Sequence, residues 1–508
     1  MLRAGILAAV FVCAACGLVY ELALVALGSY LLGSSITQAS LVISVTLCAM
    51  GAGAVVAKPL VRRPAAAFVS VELSLAVVGG FSVPALYASF AWLAVYTPAM
   101  LVCATAIGLL IGAEIPLLME LMQRLRAQRA SSAVADITAV DYAGALVGGL
   151  AFPFLLLPVF GLLEGTLVVA ALNVLAAWAV GGAIARRSGS GRGLAVTSIA
   201  CLAVVVLLVG MATLATRFEA TARQALFRDP IVHAERSKYQ EIVLTQGALF
   251  GAQSVDFRMF LDGDLQFSSV DEYRYHEALV HPAMRGPHDR VLILGGGDGL
   301  ALREVLRYAD VQQVTLVDLD PAVVELAREN SRLRRLNDRA FADPRVDYVA
   351  ADAFAWARRQ GGAYDVIIAD FPDPDSTATA KLYSRELYAV LERLLADRGR
   401  LVVQAGSPFF APDSFWCVDA TVAAAGLQTV PYHVDVPSFG DWGFVLAAAS
   451  EPVLRLPEDA PPGLRFLTDA VLEAAATFPP DRDDRPVEVS TLLKPVIVEY
   501  QRSGWVGY

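Results

Sequence analysis

The chain has 508 residues and a formal net charge of −10, and its mean hydropathy of +0.54 with 56% hydrophobic residues exceeds that of ordinary soluble proteins. Ten of the 40 Lys and Arg and seven of the 50 Asp and Glu precede residue 216, so the remainder is strongly acidic. An acidic domain repels phosphate, which excludes nucleic acid as a natural partner and favours small cations. We therefore predict an apolar domain over residues 1–216 followed by a water-soluble part.

Seven apolar runs in the first domain are each about 20 residues or longer, the length needed to cross a bilayer as a helix. They lie at residues 5–31, 36–57, 66–90, 98–121, 138–160, 165–185 and 194–215. This pattern predicts a multi-pass α-helical membrane domain in contact with the lipid bilayer. Basic residues collect at the start of the chain and in every second connection, which the positive-inside rule assigns to the cytoplasm. With seven spans, the rule places the soluble part on the outer side.

Four acidic residues, Glu21, Glu72, Glu114 and Asp141, lie in or at the edge of these apolar runs. A charged side chain at the centre of a membrane helix costs at least about 2.5–3.5 kcal/mol on insertion scales. Two interpretations stay open. The carboxyls line a path for a transported molecule or proton, or they face the interior of the helix bundle in a protonated or hydrogen-bonded form.

After residue 216 the pattern changes to short strands and turns. Residues 241–245, 257–261 and 265–267 predict strands, so residues 217–285 are expected to form a small β-rich subdomain with a helix. From residue 286 to 450 strands alternate with helices, which predicts an α/β Rossmann-like domain of the S-adenosylmethionine-methyltransferase type. Residues 451–508 are expected to form a C-terminal extension that caps this domain.

A glycine-rich loop joins the first strand of the α/β domain to its helix, in the run Leu292-Ile-Leu-Gly-Gly-Gly-Asp-Gly299. Such a loop brings the backbone close to a nucleotide ligand. Asp298 within the loop would repel the carboxylate of an intact S-adenosylmethionine. It would instead attract a cationic aminopropyl arm. The loop therefore indicates a donor that has lost its carboxylate.

Acidic residues recur where the next strands end. Asp318 ends the second strand, about 20 residues after the glycine loop in the sequence. A carboxylate at this spacing binds the ribose hydroxyls of a nucleoside. Asp352 follows the third strand, Asp370 ends the fourth, and Asp373 lies three residues beyond. Because the carboxyl ends of parallel strands meet at one edge of a sheet, we expect these carboxylates to converge in one crevice.

Ordered motifs span roughly residues 231–449. They are Ser237-Lys-Tyr-Gln-Glu-Ile242, Leu261-Asp-Gly-Asp-Leu-Gln266, Asp271-Glu-Tyr-Arg-Tyr-His-Glu277, the glycine loop, Val317-Asp-Leu-Asp320, Ala351-Asp-Ala353 and Asp370-Phe-Pro-Asp-Pro374. In this order and spacing the soluble part resembles the spermidine synthases, the polyamine aminopropyltransferase family. Some members carry an N-terminal transmembrane region, and the chain resembles those.

The resemblance implies transfer of the aminopropyl group of decarboxylated S-adenosylmethionine, a co-substrate, to putrescine, giving spermidine and 5′-methylthioadenosine. It implies no metal and no bound cofactor. Asp370 would be the general base for the attacking amine. The remaining implied roles are amine binding by Tyr275, His276, Asp298 and Asp373, and donor binding by Gln240, Gly295, Gly296, Gly297, Asp318, Asp352 and Ala353.

Two alternative functions remain open. One is an S-adenosylmethionine-dependent methyltransferase, against which Asp298 argues. The other is a polyamine transporter or sensor with a regulatory nucleoside-binding domain. The expected partners are a small diamine, a nucleoside donor and the bilayer, without nucleic acid and with homo-oligomerisation left open. The supply of the donor favours a soluble part in the cytoplasm, whereas the charges predict the outer side. The side of the cell membrane on which the soluble part lies is therefore left open.

Overall fold

The computed structural model describes residues 2–32, 35–125, 130–248 and 255–505. The chain divides into two compact units, Met1–Arg228 and Asp229–Tyr508. We call them the helical unit and the α/β unit. Each buries apolar clusters of its own, as expected for separately packed domains.

Long apolar helices build the helical unit. They are α1 Leu2–Leu32, α2 Ser35–Val56, α3 Pro64–Ala88, α4 Tyr96–Leu125, α5 Ala130–Ala151, α6 Leu157–Arg187 and α7 Gly191–Ala225. Apolar side chains lie on their outer faces as well as in the core, for example Leu47, Val102 and Leu146, which are all exposed. Helices that are apolar on all sides suit a lipid environment.

By length and apolar composition, the described residues contain six candidate membrane spans, whereas the apolar runs of the sequence predict seven. The difference arises because Val134–Arg187 is one apolar helical run of 54 residues. Such a run would be roughly 80 Å long at about 1.5 Å per residue, far more than the roughly 30 Å of a bilayer core. Gly161, with φ 69° and ψ −172°, interrupts the helical geometry inside the run.

Close helix contacts show that the chain reverses direction within this run. The contacts are Gly144 with Phe11 and Gly148 with Ala15 between α5 and α1, Cys13 with Glu72 and Tyr20 with Gly79 between α1 and α3, and Val69 with Gly181 and Gly80 with Ala170 between α3 and α6. Helices α5 and α3 therefore run parallel to α1, and α6 runs opposite to α3. Since glycine allows backbones to approach closely, these contacts are tight. Because α5 runs parallel to α3 and α6 runs opposite to α3, helices α5 and α6 run in opposite directions.

Two of the four acidic residues predicted in the apolar runs are deeply buried. Glu72 of α3 and Glu114 of α4 are 0% and 4% exposed. The Cys13 thiol donates a 3.1 Å hydrogen bond to Glu72 Oε1, and ligand atoms of these three residues lie within 4.8 Å of one another. Among the described residues, no donor outside this carboxyl pair bonds to Glu72 Oε2 or Glu114 Oε1. The carboxyl pair thus lies inside the helix bundle.

An antiparallel four-stranded sheet begins the α/β unit. Its strands, in spatial order, are β1 Ile231–Arg236, β2 Glu241–Ala248, β3 Val255–Leu261 and β4 Asp264–Ser268. Asp262 and Gly263 turn the chain between β3 and β4 with φ values of 50° and 97°, as a tight two-residue hairpin turn requires. The inner residues Ile242, Leu244 and Met259 pack in one buried cluster with Leu300 of the following domain.

The central sheet has seven strands in the order β10-β11-β9-β8-β5-β6-β7. Their bounds are β5 Arg290–Gly295, β6 Gln313–Asp318, β7 Val346–Ala350, β8 Tyr364–Asp370, β9 Leu395–Gly406, β10 Gln428–Val436 and β11 Gly440–Ala448. Strands β5 to β9 are parallel, and the hairpin of β10 and β11 adds antiparallel to β9. The predicted Rossmann-like sheet is confirmed; the antiparallel hairpin was not predicted.

Helices cover both faces of this sheet. They are α8 Glu272–Val280, α9 Leu300–Leu306, α10 Pro321–Glu329, α11 Leu333–Leu336, α12 Ala353–Ala357, α13 Thr377–Ala380, α14 Arg385–Leu394, α15 Pro412–Ala423, α16 Asp469–Ala475 and α17 Ile497–Gly504. Along β5, Leu292 and Leu294 enter one apolar cluster while Val291 and Ile293 enter another. This alternation places a core on each face of the sheet.

Candidate active site

The glycine loop after β5 lies directly against the end of β8. Gly295 is paired with Asp370 across these two parallel strands, and it has a φ of 83°. A Cβ at this position would lie 2.0 Å from the Asp370 carbonyl oxygen. Gly296 also has a positive φ, of 65°, and a Cβ there would lie 3.1 Å from Asp370 Oδ2. Backbone conformation and space therefore both require glycine at Gly295.

Asp298 is a buried acidic residue within the loop, with 9% of its surface exposed. Its Oδ1 accepts a 2.8 Å hydrogen bond from the Leu300 N–H at the start of α9. Burial raises the pKa of Asp298, and the neighbouring imidazole of His276 acts against that rise. A cationic group at this position would relieve the cost of burying the carboxylate.

His276 is held by a chain of ionic contacts. Its Nδ1 lies 2.8 Å from the Glu272 carbonyl oxygen and 3.0 Å from Glu272 Oε2, one helical turn earlier in α8. Both oxygens of Glu272 also accept 2.9 Å bonds from the Arg303 guanidinium. Burial acts to lower the pKa of His276, but the hydrogen bond and charge of Glu272 outweigh it and raise that pKa. The ring is thus fixed in orientation beside Asp298 and Asp370.

Asp370, at the end of β8, accepts a 2.6 Å hydrogen bond from the Tyr275 hydroxyl. Burial and the charge of Asp298 raise the pKa of Asp370 to about 6, against the opposing effects of His276 and of the Tyr275 hydrogen bond. A carboxyl with this pKa is mostly ionised at neutral pH and accepts a proton more readily than an ordinary aspartate. It has the properties of a general base.

Asp373 lies three residues beyond Asp370 and is held by two amides. Gln404 Nε2 lies 3.3 Å from Asp373 Oδ1, and Gln501 Nε2 donates a 2.8 Å bond to Asp373 Oδ2. Burial raises the pKa of Asp373 to about 6, with the charge of Asp375 adding to the rise and the two amides opposing it. Asp373 is therefore a second carboxylate of raised pKa at the same edge of the sheet.

Asp318, at the end of β6, is bound to the glycine loop. Its Oδ2 accepts a 3.0 Å bond from the Gly297 N–H, and its Oδ1 accepts a 2.9 Å bond from the Asp320 N–H. Burial raises the pKa of Asp318 to about 6. Gln240, predicted as a donor ligand, donates a 3.0 Å bond to Asp320 Oδ2. The loop between β1 and β2 is thereby joined to the region after β6.

Asp352 caps α12, where Oδ1 accepts a 2.8 Å bond from the Ala355 N–H. Oδ2 forms an ion pair with Lys381. Burial acts to raise the pKa of Asp352, but the Lys381 hydrogen bond and charge outweigh it and lower that pKa. Ala353, the first residue of α12, is buried. Both carboxylate oxygens thus have partners within the protein.

The structure brings the predicted carboxylates to one edge of the sheet, because each follows a parallel strand. Sequence reasoning missed several residues that hold them: Glu272, Arg303, Asp320, Gln404 and Gln501. The i, i+4 spacing of Glu272 and His276 on a helix was an available signal. So was the position of Gln404 near the end of a strand. Nothing in the sequence pointed to Arg303 or Gln501.

A parallel sheet with a glycine loop, acidic strand ends and a buried carboxylate of raised pKa is typical of nucleoside-binding enzymes of the Rossmann-like class. Residues 272–456 match the spermine/spermidine synthase domain. Polyamine aminopropyltransferase 1 of Streptomyces coelicolor is 56% identical over 99% of this chain and 95% of that protein. The polyamine aminopropyltransferase of Mycobacterium tuberculosis H37Rv is 46% identical over 99% of this chain and 97% of that protein.

The chain belongs to the polyamine aminopropyltransferase family and is an aminopropyltransferase. A crystal structure of spermidine synthase in complex with the transition state analogue AdoDATO is 27% identical, with a TM-score of 0.45, and the match covers 49% of this chain and 85% of that chain. Membership of the family sets aside the methyltransferase alternative.

Proposed function

We propose that the protein is a membrane-attached spermidine synthase, which transfers the aminopropyl group of decarboxylated S-adenosylmethionine to putrescine. The observation that carries this proposal is the buried carboxylate of Asp298, at the start of a helix, whose charge acts on the carboxylate of Asp370. A methionine carboxylate would be repelled there, whereas the ammonium of an aminopropyl arm neutralises the charge. Asp370 and Asp373 would receive the diamine, which is also cationic.

In the proposed reaction, Asp370 removes a proton from one ammonium group of putrescine. The freed lone pair then attacks the carbon next to the sulfonium of the donor. The carbon–sulfur bond breaks, its electrons return to sulfur, and 5′-methylthioadenosine leaves as a neutral thioether. Tyr275 would orient the base through its bond to Asp370 Oδ1. Much of the rate would come from holding nucleophile and electrophile in line.

The donor nucleoside would lie along the glycine loop, with its ribose on Asp318. The bond between Gly297 N and Asp318 Oδ2 supports this, since it orients the carboxylate beside the loop. The further donor-binding residues proposed are Gln240, Gly295, Gly296, Asp352 and Ala353. Because Lys381 pairs with Asp352, binding of the adenine amino group at Asp352 would compete with that ion pair. His276, with Tyr275, would line the amine side.

The test is an activity assay with purified full-length protein. We expect 5′-methylthioadenosine and spermidine from decarboxylated S-adenosylmethionine and putrescine, and no methylated amine from S-adenosylmethionine. A series of diamines of different length identifies the acceptor, and putrescine is expected to give the highest kcat/KM. Formation of S-adenosylhomocysteine without 5′-methylthioadenosine would overturn the proposal.

Membrane attachment is proposed for the helical unit, supported by its six apolar candidate spans. We expect the protein to remain in the membrane fraction after washing with alkaline carbonate, which removes peripheral proteins. Release into the supernatant by that wash alone would contradict attachment through the helical unit.

A second candidate function, passage of an amine or a proton through the helical unit, is favoured by the buried pair Glu72 and Glu114. The Tyr20 hydroxyl is also fully buried and has no hydrogen-bond partner in the described part of the chain. We expect vesicles containing the protein to take up labelled spermidine, and Glu114→Gln to abolish uptake. Unchanged uptake in Glu114→Gln would exclude this role for the pair.

A further inference from the structure

Gln501 lies in the C-terminal extension, outside the residues that match the family domain. It is 3% exposed and belongs to the short helix α17. Its Nε2 donates a 2.8 Å hydrogen bond to Asp373 Oδ2, although 128 residues separate the two in the chain. A residue near the end of the chain thus contacts a carboxylate of the candidate amine site.

The position of this side chain is fixed by the packing of α17. Ile497 and Val498 of the helix belong to the same buried cluster as Phe371, which adjoins Asp370. Gly504 ends the helix so close to Ala411 that a Cβ there would lie 2.5 Å from the Ala411 Cα. These contacts hold α17 against the site, so the Gln501 amide is positioned by the protein core.

The amide of Gln501 has one group in use and one available. An ionised carboxylate only accepts hydrogen bonds, so the NH2 group must face Asp373 and the oxygen Oε1 must point elsewhere. Oε1 is buried, and it has no hydrogen-bond partner among the described residues. Buried amide oxygens in native proteins are normally paired, so this one requires an explanation.

Gln501 Oε1 and Asp373 Oδ1 both lie close to Gly406. The position that a Cβ would take on Gly406 is 3.9 Å from Gln501 Oε1 and 3.9 Å from Asp373 Oδ1. Gly406, with φ 70°, ends β9 and carries no side chain into the space in front of these two oxygens. A carboxylate oxygen and an amide oxygen therefore border the same space, and both can only accept hydrogen bonds.

We propose that Gln501 is an acceptor-binding residue, whose Oε1 and the Asp373 carboxylate together bind one ammonium group of the diamine. An ammonium has three N–H donors and so can bond to both oxygens at once. The Gln501 amide also opposes the effect of burial on the pKa of Asp373, which favours the ionised form that an ammonium needs. This inference rests on the proposed function and adds an acceptor-specificity residue from the C-terminal extension.

The test compares the steady-state kinetics of full-length wild type and Gln501→Met, which keeps the length of the side chain but removes both polar groups. We expect the KM for putrescine to rise about 10-fold or more, as for loss of a buried hydrogen bond to a charged group. The KM for decarboxylated S-adenosylmethionine and kcat should stay within about threefold, because the proposal places Gln501 on the acceptor and not on the donor. The control is Glu499→Gln, an exposed position on the same helix.

The outcomes separate this inference from the proposed function. A wild-type protein that forms no 5′-methylthioadenosine would overturn the proposed function itself. An active wild type with an unchanged putrescine KM in folded Gln501→Met would overturn only the role of Gln501. Equal rises in both KM values together with a lower melting temperature would indicate a purely structural residue and also overturn it. If Gln501→Met does not fold, Gln501→Asn replaces it, because the shorter side chain moves the amide away by one methylene. The same selective rise in the KM for putrescine is then expected.

Discussion

The Tyr275 hydroxyl and Asp370 are joined by a 2.6 Å hydrogen bond, although 95 residues separate them in the chain. Tyr275 is a buried residue of α8, and its ring contacts the aromatic rings of Phe439 and Phe444. Its ring therefore has a fixed position, and the hydroxyl holds the Asp370 carboxylate in one orientation. The bond also stabilises the ionised form of Asp370 against the effect of burial.

Replacing Tyr275 by Phe should move the pH dependence of the reaction. The base must be ionised to act, so activity is lost as the pH falls through the pKa of Asp370, about 6. Removal of the hydroxyl raises that pKa further, and the acidic limb of the kcat/KM profile should shift to higher pH. Activity at pH 7 should fall several-fold and recover towards pH 9. Tyr364→Phe, at the opposite end of β8, is the matched control. It should leave the acidic limb of the kcat/KM profile at the same pH as in wild type.

Asp370→Asn tests general-base catalysis directly. The amide cannot accept the proton of the attacking ammonium, so kcat should fall by about 10²–10⁴. The KM for the donor should change little, because the proposed donor site is formed by the glycine loop and Asp318. Asp365→Asn in the same strand serves as the control, since Asp365 bonds to the Arg290 N–H at the other edge of the sheet. A kcat within threefold of wild type in Asp370→Asn would rule out this base.

Asp298→Asn should weaken discrimination between the two forms of the donor. Without the negative charge, the KM for decarboxylated S-adenosylmethionine should rise about 10-fold or more. Inhibition by intact S-adenosylmethionine should strengthen at the same time, because its carboxylate is no longer repelled. Both constants are measured in the same 5′-methylthioadenosine assay, with the exposed Asp289→Asn as control. Weaker binding of both decarboxylated and intact S-adenosylmethionine would contradict the electrostatic explanation.

Glu272→Gln should lower the stability of the α/β unit. Glu272 is 3% exposed and pairs with Arg303 and His276, so its loss leaves the largely enclosed Arg303 guanidinium with only Glu304 as an ionic partner, at a cost of about 1–3 kcal/mol. Burial acts to raise the pKa of Glu272, but these partners outweigh it and lower that pKa.

The stabilisation from Glu272 is therefore present above the unfolded pKa of about 4.3 and is lost as the pH falls through the folded pKa. The melting temperatures of detergent-solubilised wild type and Glu272→Gln should differ most at pH 7. The difference should shrink below pH 4. The exposed Glu325→Gln on α10 should melt like wild type. A constant difference between pH 3 and pH 7 would exclude this ion pair as the cause.

Much of the α/β unit was predictable because its signals are local. The run that forms β5, the glycines that follow and Asp318 at the end of β6 are readable as a strand, a loop and a strand end. The apolar runs of the helical unit were equally readable. Their count was harder, because only one charged residue, Glu164, lies at the reversal between α5 and α6, and the interruption at Gly161 depends on backbone conformation.

The sequence by itself determined the Rossmann-like sheet and the set of carboxylates at its edge, because hydrophobic periodicity and strand-end position are properties of short segments. Only the tertiary structure decided which groups control those carboxylates. Arg303 bonds to Glu272 across 31 residues and Gln501 bonds to Asp373 across 128. Hydrogen bonds of this kind depend on how distant helices pack against the sheet, and no local pattern of residues encodes that packing.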